Sequence, residues 1–122
     1  MRTMRVLEEL AFDQKGLVPS VIQDADSLEV LMVAYMSKES LRLTLQTGET
    51  HFWSRSRECV WHKGETSGNI QRVREILFDC DCDTLLIKVD QCGNACHTGR
   101  RSCFYRRADA RTGSVIDVEE VG

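Results

Sequence analysis

The placement of the cysteines constrains this chain more than any other feature. It has 122 residues and six cysteines, of which only Cys59 stands apart. The clustered ones are Cys80, Cys82, Cys92, Cys96 and Cys103. A disulfide framework needs an oxidising compartment and usually spreads its bridges along the chain, whereas a cluster in a cytosolic protein more often binds metal or is catalytic. We therefore expect a metal site, with inert buried thiols and disulfides as the alternatives.

The spacings of these cysteines match no standard zinc module. Cys92-x3-Cys96 and Cys96-x6-Cys103 differ from the paired Cys-x2-Cys knuckles of structural zinc fingers. The His-x-Glu signature of the zinc deaminases is also absent, because Trp53, Gly64 and Gly99 stand two places after the three histidines. A zinc site in this chain is therefore predicted to be of a less common kind.

Composition indicates a single soluble domain over residues 1–122. Hydrophobic residues make up 42% and charged residues 29%, as in globular proteins. No apolar run approaches the roughly 18 residues that cross a bilayer, and a net charge of −3 argues against nucleic acid as a partner. The N-terminal segment Met1–Leu10 becomes acidic too early for a signal or transit peptide. We expect a cytoplasmic protein that binds neither membrane nor nucleic acid.

Hydrophobic patterning predicts a mainly β protein of the α+β class, with antiparallel strands and one clear helix. Leu17–Gln23 and Leu28–Met36 are apolar runs separated by a turn sequence, which is typical of a hairpin. Ser37 is a suitable N-cap for a helix over Lys38–Gln46, and Gly48 lies just past its end. The further predicted strands are Thr50–Ser54, Cys59–Lys63, Leu85–Val89, Ser102–Arg107 and Ser114–Val118, together with Ile70–Leu77, whose periodicity also fits a helix.

Three aspartates alternate with two cysteines over Asp79–Asp83. Carboxylates repel one another, so a folded chain that gathers three of them usually does so around a cation, and oxygen ligands suit Mg²⁺ or Ca²⁺. In an extended strand the aspartates would share one side and the cysteines the other, and the outer two Cα atoms would lie about 13 Å apart. The segment must therefore bend if all three bind one ion. A solvated acidic turn is the alternative.

A polar tract with two glycines over 53–68 offers groups that can hold phosphate. They are the backbone amides of Gly64 and Gly68, the hydroxyls of Thr66 and Ser67, and the cations Arg55, Arg57 and Lys63. A solvated hairpin loop is an equally good interpretation of this tract.

The histidines differ in their sequence neighbours. His97 directly follows Cys96, and an imidazole beside a metal ligand can be a fourth ligand, a general base or a satisfied polar side chain. The sequence leaves these three roles open. His51 and His62 have no clustered partners and are expected to be structural or surface residues.

Several motifs occur in an order that closely resembles the phosphoribosyl-AMP cyclohydrolases of histidine biosynthesis. They are Trp53-Ser-Arg-Ser-Arg57, Trp61-x-Lys-Gly-Glu-Thr-Ser-Gly68, Asp79-Cys-Asp-x-Asp83, Gly93-x-Ala-Cys-His-Thr-Gly99 and Ser102-Cys-Phe104. The similarity runs from about Phe12 to Tyr105. It departs at Asn94, where the family usually has proline, and this difference is expected to change loop stiffness rather than chemistry.

The resemblance implies hydrolysis of the N1–C6 bond in the adenine ring of 1-(5-phosphoribosyl)-AMP by an intertwined homodimer. It implies zinc on Cys80, Cys96 and Cys103, shared across the dimer interface, and magnesium at Asp79, Asp81 and Asp83. His97 is then the natural candidate for the general base. The substrate-binding residues it implies are Arg55, Arg57, Trp61, Lys63, Gly64, Glu65, Thr66, Ser67 and Gly68.

Two further expectations accompany this resemblance. Cys59, Cys82 and Cys92 match no family ligand and are expected to be ordinary buried or partly buried thiols, and no fused phosphoribosyl-ATP pyrophosphohydrolase domain is expected. The competing hypothesis is a non-catalytic binding module stabilised by zinc, which would need a closed four-ligand site. The four ligands would be, for instance, Cys80, Cys92, Cys96 and Cys103.

Overall fold

The computed structural model describes residues 4–117, which form two helices and eight strands. In chain order these are α1 (Arg5–Glu9), β1 (Leu17–Asp24), β2 (Val30–Ser37), α2 (Lys38–Thr47), β3 (His51–Ser54), β4 (Cys59–His62), β5 (Gln71–Phe78), β6 (Leu85–Gln91), β7 (Arg106–Ala108) and β8 (Val115–Asp117). Six strands form one sheet in the order β4-β3-β2-β1-β6-β5, and β7 pairs with β8 in a separate two-stranded sheet. No helix of the described residues is long and apolar enough to cross a bilayer.

The main sheet is mixed, so the prediction of an antiparallel protein is wrong at one pair of strands. β1 and β2 form the predicted antiparallel hairpin, with Val21 opposite Val33. β6, however, lies parallel to β1, with Val21 beside Leu86. The chain passes through β2 to β5 before it returns beside β1. Such pairing between distant segments cannot be predicted from the local hydrophobic pattern.

The predicted helix is confirmed as α2, which is one residue longer than expected. The Ser40 backbone N–H donates to the Ser37 side chain at 3.1 Å, and the Ser37 N–H donates to the Ser40 hydroxyl at 2.9 Å. These two bonds form a capping box at the N-terminus. Gly48 ends the helix with φ of 76°, a left-handed conformation that glycine adopts without strain, and its N–H donates to the Thr44 carbonyl.

Most of the predicted short strands are confirmed, including β5 for the ambiguous segment Ile70–Leu77. The prediction over Ser102–Arg107 is wrong for its first four residues, which lie in an irregular loop, and only its end belongs to β7. Their amides and side chains bond to β2 and to each other instead of forming a ladder. β8 confirms the last predicted strand up to Asp117, and Val118 lies outside the described residues. Helix α1 was not predicted.

The main sheet curls, and its concave side holds the hydrophobic core. The residues before β3 bond to the start of β5, the opposite edge strand: the Thr50 N–H donates to the Gln71 carbonyl at 3.1 Å and the Val73 N–H to the Gly48 carbonyl at 2.8 Å. Leu41 of α2 is fully buried in the same cluster as the fully buried strand residues. Those are Val18, Ile22, Leu31, Met36, Phe52, Leu85, Ile87 and Val89.

Strand direction and loop contacts decide which loops share an end of this sheet. β1, β3 and β6 run one way, while β2, β4 and β5 run the other. The loops 10–16 and 79–84, which lead into β1 and β6, therefore lie at one end, which we call the aspartate end, and the loop 92–105 after β6 lies at the other, which we call the thiol end. Contacts place the turn 55–58 beside loop 10–16 and the loop 63–70 beside loop 92–105.

The capping box of α2 gives a test of the fold. Ser37→Ala should lower the free energy of unfolding by about 1 kcal/mol, because the Ser40 N–H at the helix N-terminus loses its side-chain acceptor. Gln46→Ala, an exposed change in the same helix, should alter it by less than about 0.5 kcal/mol. Urea denaturation of both variants makes the comparison, and equal effects would contradict the role of the capping box.

Candidate metal and substrate site

The structure brings Asp79, Asp81 and Asp83 together at the aspartate end. One oxygen from each carboxylate lies within 4.8 Å of the other two, and all three residues are exposed. The segment turns rather than extends: the N–H groups of Asp83 and Thr84 donate to Asp79 Oδ1 at 3.0 and 3.3 Å, and Cys82 has φ of 59°. The predicted bend is therefore confirmed, and the extended geometry with cysteines on the opposite side is not adopted.

The donor set of this turn suits a hard divalent cation. Carboxylate oxygens are the ligands that Mg²⁺ and Ca²⁺ prefer. The N–H of Asp83, which donates to the Asp79 carboxylate, lowers the pKa of that carboxyl group, so Asp79 keeps its charge to more acidic pH than an ordinary aspartate.

Cys96 and Cys103 meet at the thiol end, where their side chains are within hydrogen-bonding range of each other. Cys96 is buried, and its Sγ lies 2.9 Å from the Thr98 hydroxyl, a bond that lowers the pKa of the Cys96 thiol. Burial of the sulfur, and then the neighbouring Cys96, raises the pKa of Cys103 to about 11. The two thiols are therefore unequal, and Cys96 loses its proton first.

Backbone bonds and one partly buried ion pair hold the loop that carries these thiols. The Ala95 N–H donates to the Arg101 carbonyl at 3.0 Å and closes a tight turn around the first thiol. The Cys103 N–H donates to the Leu31 carbonyl of β2 at 2.7 Å. Arg101 pairs with the largely buried Asp24 at 2.9 Å. The thiol pair is therefore fixed to the core rather than carried on a free loop.

Asn94 supports the same turn. Its side-chain Nδ2 donates to the Gly99 carbonyl at 2.8 Å, on the other side of the turn. A proline at this position would stiffen the backbone directly, whereas the asparagine closes the turn with a side-chain bond. Its effect on the stiffness of the loop remains a prediction.

Lys63 links the polar tract to the thiol pair. Its Nζ donates to the Ala95 carbonyl at 2.7 Å. Burial lowers the pKa of the ammonium group, while Cys103 and Cys96 act in the opposite direction. A cation beside two thiols favours their charged forms, as a metal site requires.

His97 lies at the exposed tip of the turn, next to Cys96. The position leaves the imidazole accessible to a molecule outside the chain. His51 and His62, by contrast, form a parallel stack with ring centroids 4.4 Å apart, and His62 Nε2 lies 2.8 Å from Glu49 Oε1. That arrangement is structural, as predicted for both residues.

Cys80 does not join the other two predicted zinc ligands within one chain. It lies in the turn between β5 and β6 at the aspartate end, whereas Cys96 and Cys103 follow β6 at the thiol end. The seven residues of β6 span roughly 20 Å at 3.3 Å per residue. The closed four-cysteine site of the competing hypothesis is likewise not formed, because the aspartate turn is the only such cluster of three or more metal-ligand residues within 4–117.

The remaining cysteines correct one expectation. All six cysteines lie among the described residues and none is bridged, so the disulfide alternative is not realised. Cys82 is partly buried as expected, but Cys59 and Cys92 are exposed. Cys59 begins the edge strand β4 and Cys92 lies in the loop after β6, and neither place is covered by another element.

The predicted substrate-binding residues are divided between the two ends. Arg55 and Arg57 lie in the turn between β3 and β4, which contacts loop 10–16 of the aspartate end, and residues 63–68 lie at the thiol end, where Lys63 contacts Ala95. Trp61 is half-buried against Phe52, with ring centroids 5.1 Å apart. In the thiol-end group Lys63 and Gly64 are partly buried, while Glu65, Thr66, Ser67 and Gly68 are exposed.

Sequence reasoning missed two residues beside Arg55. Its guanidinium lies 4.1 Å above the Tyr35 ring, and Lys15 lines the same cavity. No sequence signal connects them, because they come from three separate parts of the chain.

Comparison with known proteins gives consistent results. The family model described as "Phosphoribosyl-AMP cyclohydrolase" matches residues 32–105. A protein of that name from Pelotomaculum thermopropionicum is 60% identical over 93% of this chain and 88% of its own length. Another from Archaeoglobus fulgidus is 62% identical over 83% of this chain and 94% of its own. The "Histidine biosynthesis bifunctional protein HisIE" of Caldanaerobacter subterraneus is 57% identical over 92% of this chain and 55% of its own length.

Two glycines of the polar tract form a matched pair for mutation. Gly64 and Gly68 both have φ above 80°, where any other residue pays about 1–2 kcal/mol. A Cβ on Gly64 would also lie 2.4 Å from the backbone nitrogen of Ile70, whereas one on Gly68 would meet nothing within 4 Å. Gly64→Ala should therefore lower the free energy of unfolding by at least about 1 kcal/mol more than Gly68→Ala in urea denaturation. Equal losses would show that this close approach is absent.

Proposed function

The chain belongs to the phosphoribosyl-AMP cyclohydrolase family, and on that basis we propose how its residues carry out the family's reaction. It is an enzyme of histidine biosynthesis that opens the adenine ring of 1-(5-phosphoribosyl)-AMP by hydrolysis. The observation that carries this assignment is 60% identity to a protein of that name over 93% of the chain. Its metals, its assembly and the roles of its residues are the parts that we propose.

Zinc is proposed to bind Cys96 and Cys103 of one copy and Cys80 of a second. Thiolates are preferred zinc ligands, and the adjacent thiols of Cys96 and Cys103 offer two of them. Cys80 is exposed at the far end of β6, so it is available to another chain but out of reach of its own thiol pair. Three protein ligands, rather than four, are typical of a catalytic zinc site.

An apolar row on the convex side of the sheet supports a homodimer. Val33, Val21, Leu86 and Leu77 lie side by side across β2, β1, β6 and β5. Val33 is 48% and Leu77 39% exposed. Contiguous exposed apolar surface of this kind marks interaction sites, and two-fold dimers are the commonest oligomers. If two sheets pack through these rows with their strands opposed, each aspartate end meets the partner's thiol end.

Magnesium is proposed to bind the aspartate turn. Asp79, Asp81 and Asp83 already converge, and Arg55 and Arg57 lie at the same end of the sheet. Magnesium in proteins is usually held by a few carboxylates together with substrate phosphates. The aspartate end would thus receive the phosphate-bearing part of the substrate, while the partner's thiol end receives the purine.

The reaction adds water to C6 of the purine and breaks the C6–N1 bond. Zinc, when bound, supplies a Lewis acid that acidifies water, although three thiolates weaken this effect relative to three histidines. A protein base is therefore useful, and His97 is exposed beside Cys96. In our proposal the imidazole takes a proton from the attacking water and returns it to N1 as that nitrogen leaves. Lys63 keeps the thiol turn in place through its bond to Ala95.

Subunit complementation tests the shared zinc site. Cys80→Ser and Cys96→Ser homodimers should each lack ring-opening activity, because every site misses one ligand. After subunit exchange, half of the dimers are mixed, and each mixed dimer carries one intact site and one with both lesions. Activity should therefore return to roughly a quarter of the wild-type value, measured by the absorbance change on ring opening.

The control for this experiment is a mixture of Cys96→Ser with Cys103→Ser. Both lesions then lie in the same half-site, so no arrangement of subunits restores an intact zinc site and activity should stay absent. Cys59→Ser removes an exposed thiol that is not one of the proposed zinc ligands, so this variant should retain zinc and turnover. Recovery in the control mixture, or none in the test mixture, would contradict a site shared in this way.

The role of His97 is tested by His97→Ala. Turnover should fall by about 10²- to 10⁴-fold, as expected for loss of a general base, while stoichiometric zinc is retained. Metal analysis of the purified variant distinguishes the alternatives, because lost zinc would make His97 a ligand and unchanged turnover would remove it from the reaction.

A further inference from the structure

We propose that Lys15 and Arg55 form the binding site for one of the two phosphates of the substrate. The proposal rests on the activity assigned above and deepens it. Lys15 precedes the segment 32–105 that matches the family model, so the motifs of the family do not point to it. What points to it is the convergence of two cations on one cavity.

The cavity lies at the aspartate end, between the loop that leads into β1 and the turn after β3. It has a volume of about 320 Å³ and is lined by Asp13, Gln14, Lys15, Leu17, Tyr35 and Arg55. Arg55 is held in place by its tyrosine neighbour, whose ring centroid lies 4.1 Å from the guanidinium carbon. A guanidinium oriented by an aromatic face keeps its N–H groups available for a planar or tetrahedral oxyanion.

Neither cation has a carboxylate partner. Among residues 4–117, five arginines form ion pairs within 4.0 Å, whereas Lys15 and Arg55 are among the cations that form none. The carboxylate of Asp13 is engaged elsewhere, since Asp13 Oδ1 accepts the backbone N–H groups of Lys15 and Leu17 at 2.8 and 2.9 Å. It therefore shapes the turn. Two cations and one hydrogen-bonded carboxylate leave the cavity with a net positive charge, which favours an anionic ligand there.

A second cavity on the other side of this pair is less suited to an anion. It has a volume of about 380 Å³ and shares Lys15 and Arg55, but Glu58 contributes to its lining. Each cavity is lined by one carboxylate, which would repel phosphate, but the carboxylate of Asp13 already accepts two backbone N–H groups, so the cavity beside Tyr35 is the better site.

The position of this cavity fits a substrate phosphate. The Ala11 N–H donates to the Cys82 carbonyl at 2.7 Å, which ties the segment before Lys15 to the aspartate turn. A phosphate bound by Lys15 and Arg55 would therefore lie at the same end of the sheet as the three carboxylates. The substrate is a nucleotide with two 5′-phosphates, so one of them can occupy this cavity while the rest of the molecule extends toward the partner's thiol end.

The test compares Lys15→Gln with Lys38→Gln, an exposed lysine that lines neither cavity. Three substrates are used: 1-(5-phosphoribosyl)-AMP and its two analogues that each lack one 5′-phosphate. With the full substrate, Lys15→Gln should raise KM about tenfold or more, as expected for a lost charged hydrogen bond, and leave kcat within about twofold. On one of the analogues the KM penalty should fall below about twofold. Lys38→Gln should match the wild type on all three.

A conservative variant and two contrary outcomes complete the test of the phosphate site. Lys15→Arg should restore KM to within about threefold, because it restores the charge. Equal penalties of Lys15→Gln on all three substrates, or no penalty on any, would overturn the phosphate site. A wild-type enzyme that does not turn over 1-(5-phosphoribosyl)-AMP would instead refute the assigned activity, so the two failures are distinguishable.

Discussion

The parallel pairing of β6 with β1 is the constraint on which the rest of the site depends. It fixes the direction of β6, so that the turn before that strand lies beside the loop that leads into β1, and the loop after it lies at the opposite end of the sheet. Cys80 and the three aspartates come before β6, while Cys96, His97 and Cys103 come after it. A single chain therefore holds these two groups of residues apart by the length of a strand.

Local sequence signals predicted the elements that local interactions determine. The capping serine and terminal glycine of α2 and the hairpin of β1 with β2 depend on neighbouring residues, and each was predicted closely. The position of β6 beside β1 is decided by which faces bury Ile22 against Ile87, residues more than sixty positions apart. The irregular loop before β7 escaped prediction for a related reason, since Cys103 bonds to Leu31 of a distant strand.

The candidate site shows the same contrast between features that the local sequence determines and features that only the fold determines. The motifs identified its residues, and the length of an extended strand predicted that the segment bends if one ion binds Asp79, Asp81 and Asp83. Their distribution between two ends was not predictable without the topology. Lys15 and Tyr35 were missed because they meet Arg55 only through the fold, and Lys15 also lies in no motif. A phosphate contact made by one lysine on a turn has no sequence signature of its own.

In the proposed dimer each zinc site is divided between two chains, so zinc binding and dimer assembly are coupled. The Cys103 thiol has a pKa of about 11, so at neutral pH it holds its proton in the metal-free chain, and zinc must displace that proton to bind. Two thiols, one of which holds its proton strongly, are a weak half-site. In the proposed dimer the partner's Cys80 would supply the third ligand, and any ligand that binds only the assembled state stabilises that state by mass action. Zinc would then hold the two copies together at the place where the reaction occurs, and an unassembled chain would lack a complete zinc site.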